Sequence, residues 1–327
     1  MSQTDLSDAR VADAPSRNFV YRTLPRWLWP YAQLARWDRP IGWQLLLWPC
    51  LWSAALAANV PGVAETGYGI GAFVWHSILF TIGAIAMRGA GCTYNDLVDQ
   101  RIDDQVARTR SRPLPSGRVS RNQAKIFIAA QALVGLLVLL QFNLFAILLG
   151  FASLAFVAIY PFAKRFTDWP QFFLGLAFSW GALMGWAAAF GGLALAPVVL
   201  YAGAILWTIG YDTIYAHQDK EDDVLVGVRS TALLFGTNTR QWLIGMFTGA
   251  VVLIALALAL AGASLWAYLG LAAAAAHFAY QVHRLNIDDA DQCLALFKSN
   301  SQAGLILFIG LTLGALANAI TALPPVY

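Results

Sequence analysis

Charge is scarce in this sequence. Only 12% of its 327 residues are Asp, Glu, Lys or Arg, about half the share of an ordinary soluble domain. Hydrophobic residues make up 59% and the mean hydropathy is +0.59, so the chain reads as an integral membrane protein. Cysteine is scarce too. Cys50, Cys92 and Cys293 are isolated, with no CxxC pair, which excludes a disulfide framework and a thiolate zinc site. The four histidines, His76, His217, His277 and His283, lack metal-ligand spacing. The net charge of +3 gives no reason to expect nucleic acid. The first 24 residues have no apolar core and no small-residue cleavage site, so they are not a signal peptide. They are expected to form a disordered cytoplasmic tail.

What remains is apolar sequence in long runs. A spanning helix needs about 20 mostly apolar residues, and nine stretches qualify: 42–60, 72–91, 124–140, 144–162, 172–190, 197–216, 242–261, 265–282 and 302–323. Ahead of the first, "PRWLWPYAQLARW" mixes aromatics with arginine in the manner of an interfacial segment. Lys and Arg fall in the even-numbered connections. Arg101, Arg110, Arg118 and Arg121 follow span two, Lys164 and Arg165 span four, Lys220, Arg229 and Arg240 span six, Arg284 and Lys298 span eight. Connections such as "VPGVAETGYGIG" and "FGGLALAP" carry none. The positive-inside rule therefore places the N-terminus and the four charged loops together in the cytoplasm, taken here as that of a bacterium with the protein in its inner (plasma) membrane.

The expected fold is all-α, with one transmembrane domain over 25–323. Two four-helix pseudo-repeats, about 25–166 and 167–284, precede a ninth helix at 302–323. Each half carries an acidic motif after its second helix: "NDLVDQRIDD" in the first and "YDTIYAHQDKEDD" in the second. If span two continues as a helix through Asp103, then Asn95, Asp99 and Asp103 stand at i, i+4 and i+8 on one face. Tyr215, Asp219 and Asp223 repeat that spacing, with Asp212 and Asp222 on a neighbouring stripe. Asp96 is turned about 100° from its ladder and is assigned to a water, an arginine or a helix cap. Carboxylates at a membrane rim repel unless a cation offsets them. Oxygen donors without nearby Cys or His favour Mg²⁺, which usually takes one or two carboxylates plus substrate phosphate. The basic loops, with Arg108, Arg112, Lys164 and Arg165, could hold the phosphate oxygens.

At these residues the sequence resembles the UbiA superfamily of membrane prenyltransferases. The matching stretches are "RWDRPIGWQLLLWPCLW", "NDLVDQRID" of the form NDxxDxxxD, "RTRSRPLPSG", "YPFAKRFTDWPQ", the DxxxD ending of "YDTIYAHQDKEDD", and "GVRSTALLFG". The second-half motifs resemble the branch that prenylates 4-hydroxybenzoate. The resemblance implies a polyprenyl diphosphate donor, one Mg²⁺ on Asn95, Asp99 and Asp103, and a second on Asp219 and Asp223, with both ions bridging the diphosphate. Lys164 and Arg165 are carried over as diphosphate contacts, with Arg108 and Arg112 beside them. Arg36 or Arg39, flanking Asp38 before span one, is the candidate for the acceptor carboxylate, and Tyr215 for lining or orienting. The alternatives are the same chemistry on dihydroxynaphthoate, homogentisate or haem, or, from another class, a transporter. Small residues in the spans leave the oligomeric state open.

Overall fold

The computed structural model describes residues 10–11, 18–107, 109–218 and 220–321, without the side chains of Asp222, Val226 and Thr321. The described residues are helical throughout, in fourteen α-helices with short 3₁₀ turns and no strand. Eight helical segments are long and apolar enough to cross a membrane. The count of nine expected from the sequence is not reproduced by that criterion. The expected eighth span does form a helix, α13 (Leu265–Arg284), but it is rich in alanine and carries His277 and Gln281, and it is not among the eight.

Most expected spans map onto single helices: α3 (Ile41–Ala58), α5 (Arg121–Leu139), α6 (Leu144–Phe166), α9 (Leu195–Ala216) and α12 (Thr239–Leu260). The fifth is two pieces, α7 (Pro170–Phe178) and α8 (Gly181–Phe190). The last, α14 (Ala290–Thr321), begins well before 302, because the Asp289 carboxylate accepts a hydrogen bond from the Gln292 backbone at 2.9 Å and starts the helix there. Residues assigned to the tail are also structured. Asn18 caps α1 (Phe19–Thr23) by accepting from the Tyr21 backbone N–H, and α2 (Trp29–Leu34) follows.

The chain divides into two compact units that do not follow the two sequence halves. The first contains residues up to Gln44 and Ile82–Val138. Its core is Leu34, Leu97, Leu114, Val119 and Ala124, with Tyr31 and Phe127 packed against them. A smaller cluster joins Val20, Trp29 and Ala32 to Tyr21, Leu24 and Trp37. The second unit contains Leu45–Thr81 and Leu139 onward. Here α9 is largely enclosed, and Trp207 on it donates to the buried Asn300 Oδ1 at 2.9 Å. Small residues let backbones meet: a Cβ on Gly270 of α13 would lie 2.6 Å from the Gly310 Cα of α14. Gly181 and Gly185 of α8 press likewise on the α3 backbone at Cys50 and Ala54.

Candidate active site

The first acidic motif is carried by α4 (Ile70–Asp103), a single helix of 34 residues. At 1.5 Å per residue it is about 51 Å long against about 30 Å of hydrocarbon, so roughly four turns extend past the apolar layer. Asn95, Asp99 and Asp103 lie on those turns and, on an unbroken helix, share a face. Asp96, Asp99 and Asp103 are all buried, at 0%, 1% and 7% exposure.

Buried carboxylates need cations, and the first unit supplies them. Arg36 Nη2 donates to Asp96 Oδ1 at 2.6 Å while its Nη1 donates to the Gln33 carbonyl at 2.8 Å. Arg36 itself has a φ of 59°, the left-handed region that costs a side-chain-bearing residue about 1–2 kcal/mol. Arg112 Nη1 sits 3.1 Å from both Asp103 oxygens and 3.6 Å from Asp96 Oδ1. The second oxygen of Asp96, Oδ2, is buried and has no hydrogen-bond partner among the described residues. Asp38 is buried as well, with Arg39 Nε at 3.3 Å.

The loop behind α4 is locked rather than loose. Thr109 Oγ1 donates to the Asp103 carbonyl at 2.8 Å. Ser116 Oγ donates to the Arg112 carbonyl at 2.6 Å, and Arg118 donates to Ser116 Oγ and to the Ser111 carbonyl. Leu114 is driven into the core at 1% exposure. Gly117 closes the turn at a φ of 73°, which favours glycine. "TRSRPLPSG" is therefore a built turn that presents Arg112 to Asp103. Arg108 lies outside the described residues.

The second motif departs from expectation. Tyr215, Asp219 and Asp223 were expected on one helix, but α9 ends at Ala216 and a separate helix, α10 (Lys220–Val226), begins four residues later. Side chains drawn to other elements account for the break. His217 Nε2 bonds Thr239 Oγ1 at 2.9 Å, and Lys220 Nζ donates to the Ile287 carbonyl and to Asp288 at 2.6 Å. Burial, then the Lys220 charge, pushes the His217 imidazole down to about 4, so it is neutral at pH 7. Asp219 lies outside the described residues, as does the Asp222 side chain. Asp212 and Asp223 are half-buried, and the Tyr215 ring packs on Phe297 at 4.5 Å.

Lys164 and Arg165 close α6. Arg165 is exposed, with its guanidinium 5.3 Å from the Phe162 ring centroid. The Lys164 carbonyl accepts from the Arg229 backbone at 3.0 Å. The "GVRST" stretch thus ties its own segment to the end of α6, while Ser230 caps α11 (Thr231–Phe235). Among the described residues, no three His, Cys, Asp or Glu side chains gather as a ready metal cage. The α4 face instead offers two carboxylates and an amide, all hard oxygen donors. The buried, unpartnered Asp96 Oδ2 beside them marks negative charge that the protein's own cations leave incompletely covered. That set fits Mg²⁺ completed by water and phosphate. Sequence reasoning missed Gln33 and Tyr21, whose signal was the Asn18 cap ahead of "FVYRT".

Residues 46–311 match the UbiA prenyltransferase family; the chain belongs to that family. Among curated relatives it is 50% identical over 301 residues to the mitochondrial 4-hydroxybenzoate polyprenyltransferase of Drosophila pseudoobscura pseudoobscura, covering 89% of this chain and 71% of the relative. The proteins of the same name from Rattus norvegicus and Arabidopsis thaliana are 47% and 48% identical, covering 91% and 89% of this chain and 78% and 70% of theirs. Among solved structures, a UbiA homolog from Aeropyrum pernix K1 is 26% identical with a TM-score of 0.64, covering 84% of this chain and 98% of that one. One from Archaeoglobus fulgidus, bound to GPP and Mg²⁺, is 18% identical with a TM-score of 0.65 over 88% and 99% of the two chains.

These relatives overturn the bacterial plasma-membrane location: they are mitochondrial by name. The positive-inside rule ranks the two faces of a membrane; it holds no information on which membrane that is.

Proposed function

We propose that this chain transfers a polyprenyl group from polyprenyl diphosphate to the carbon of 4-hydroxybenzoate ortho to its hydroxyl, releasing diphosphate, as a step toward a prenylated quinone. The single observation that carries this reading is the identity of about half of all residues, across nearly 90% of the chain, to proteins bearing that activity as their name. The buried acid ladder of α4 supports it independently.

Asn95, Asp99 and Asp103 would hold one Mg²⁺, and Asp219 and Asp223 a second, with donor diphosphate and water completing the oxygen shells. Bound Mg²⁺ supplies the positive charge that stabilises the departing diphosphate. Lys164 and Arg165, at the exposed end of α6, hold phosphate oxygens, and Arg108 is assigned the same role. Arg112 has a double role: without donor it covers Asp103, and with donor its fork would hold phosphate, leaving Asp103 available as a ligand. Asp96 stays with Arg36 and fixes the helix face. Asp212 and Asp222 support the second motif.

The C–O bond of the donor breaks to leave an allylic cation. The electron-rich ring of the acceptor attacks it, a C–C bond forms, and the ring proton is lost. Arg39, which flanks the buried Asp38, is the cation assigned to the acceptor carboxylate. Arg36 acts on the acceptor through the shape of the same turn, and Tyr215 lines the site.

Membranes containing the protein, given one labelled polyprenyl diphosphate and a panel of acceptors, test the reading. Labelled product is expected with 4-hydroxybenzoate, lost with EDTA and restored by Mg²⁺. Product with dihydroxynaphthoate or homogentisate instead would replace the acceptor, and undiminished product after full chelation would remove the metal.

A further inference from the structure

Tyr21 lies outside the stretch that matches the family, at 46–311, yet it is wired to the acidic helix. Gln33 Nε2 donates to the Tyr21 hydroxyl at 3.1 Å, and Gln33 is fully buried. The main-chain carbonyl of Gln33 accepts from Arg36 Nη1 at 2.8 Å. Arg36 passes its other nitrogen to Asp96 at 2.6 Å, and Asp96 shares Arg112 with Asp103. A path of polar contacts, crossing from the side chain to the main chain of Gln33, thus runs from Tyr21 to a proposed metal ligand, all within the first unit.

The near end of the path is anchored. The Tyr21 ring packs edge-on against Trp29 at 4.9 Å and lies under the Arg10 guanidinium at 5.5 Å. Val20 on the same short helix is completely buried, and Val11 nearly so. The hydroxyl sits within electrostatic reach of Asp38, Arg39 and Arg118. Burial, followed by the Asp38 charge, pushes its pKa up, so it keeps its proton and remains a neutral hydrogen-bonding group. The far end needs such an anchor: Arg36 holds a left-handed backbone, a conformation that persists only where surrounding contacts over-determine it.

We infer that Tyr21 is a positioning residue for the reaction: its hydroxyl, through Gln33 and Arg36, sets the placement of Asp96 and Arg112 and thereby the readiness of Asp103 to receive Mg²⁺ with diphosphate. The inference rests on the metal reading above and adds to it a residue that touches neither metal nor substrate. A strap that merely added stability would lower the unfolding temperature at every Mg²⁺ concentration alike. A positioning residue instead shifts the Mg²⁺ concentration at which the protein responds.

The test uses detergent-purified full-length protein with inorganic diphosphate as the probe. Thermal unfolding is followed while Mg²⁺ is titrated, for wild type, Tyr21→Phe, Gln33→Met and the double variant. Tyr21→Phe keeps the ring and its packing and removes only the hydroxyl. Losing the hydroxyl from the path is expected to raise the Mg²⁺ midpoint by about three- to tenfold, in addition to the lower metal-free unfolding temperature that follows from leaving the buried Gln33 amide without its acceptor. In turnover, the same variant should raise the apparent KM for the donor at limiting Mg²⁺ while kcat at saturation stays level. The double variant should shift the midpoint no further than Gln33→Met alone, because both act along one path. A wild-type midpoint in Tyr21→Phe overturns the inference while leaving the metal reading intact. So does a lower metal-free unfolding temperature with no midpoint shift, or additive shifts in the double variant. A wild-type protein with no response to Mg²⁺ overturns the metal reading and this inference with it.

Discussion

Arg36 offers the most searching test of the buried charge network. Its guanidinium faces a carboxylate with no exposure to solvent, at 2.6 Å. Replacing it with alanine leaves Asp96, among the described residues, with Arg112 at 3.6 Å, already held by Asp103 at 3.1 Å. Removing one member of a buried pair costs about 3–5 kcal/mol, since the remaining charge is stranded. Asp96 is poorly placed to recover, because Oδ2 is already without a hydrogen bond among the described residues. The backbone supplies a second, independent number. With φ at 59°, Arg36→Ala keeps the left-handed strain, whereas Arg36→Gly removes it and recovers about 1 kcal/mol. The expected order of stability is wild type, then Arg36→Gly, then Arg36→Ala, which reverses the usual ranking of alanine over glycine. Arg36→Ala with Asp96→Asn should recover part of the loss by removing the stranded charge. Equilibrium unfolding in mixed micelles, titrated with a denaturing detergent, measures the differences. If Arg36→Ala lies within about 1 kcal/mol of wild type, well below the loss expected of a buried pair, the ion pair does not carry the energy assigned to it. If glycine is worse than alanine at this position, the left-handed turn is not a source of strain.

Three further predictions address function. Asp99→Ala, Asp103→Ala and Asp223→Ala should each abolish turnover in a protein that still inserts and folds; a normal rate in any one removes that carboxylate from the metal set. Arg39→Ala should raise the apparent KM for 4-hydroxybenzoate about ten- to a hundredfold, the effect of losing one charge-assisted hydrogen bond, with the KM for the donor unmoved; an unchanged acceptor KM places the carboxylate elsewhere. In sealed vesicles, an impermeant thiol reagent should label Arg110→Cys and Glu65→Cys, both exposed positions, from opposite sides; labelling of both from one side refutes the topology read from the charged loops.

The apolar runs were legible because a spanning helix declares itself by length and composition. α3, α5, α6, α9 and α12 were accessible that way to within a few residues. The α4 ladder was legible for a related reason: a spacing of four recurs on one face as long as the helix does not break. The same arithmetic failed at Tyr215, Asp219 and Asp223. Nothing in "YAHQDKEDD" announces that His217 bonds to Thr239 and Lys220 to Asp288, and those distant partners end α9. Partners remote in sequence also hid the role of the N-terminal segment. Its composition is that of a tail, but Val20 and Trp29 find a cluster to join, and Asn18 caps a helix only five residues long. The arginines were readable as a class and not one by one. Arg118 spends its hydrogen bonds on its own loop, Arg36 on Asp96, and Arg112 on Asp103.

That distribution explains how the first unit can keep so many carboxylates buried before any metal or substrate arrives. Each anion-rich turn of α4 is met by a guanidinium fixed from outside the helix: Arg36 from the turn after α2, Arg112 from the locked loop beyond Asp103. The two cations differ in how they are held. Arg36 is fastened at both ends, by the Gln33 carbonyl and by Asp96, on a backbone conformation costly to change. Arg112 meets Asp103 symmetrically, at 3.1 Å to each oxygen, and lies on a turn tied together by hydrogen bonds from Ser116 and Arg118. The first arrangement resists exchange of partners and the second permits it. In the proposed reaction, an incoming diphosphate with its metal would bring both a better anion for Arg112 and a better cation for Asp103, so the pair would separate without stranding either charge. Asp96, with no such exchange open to it, keeps the helix face in register while its neighbour changes partners.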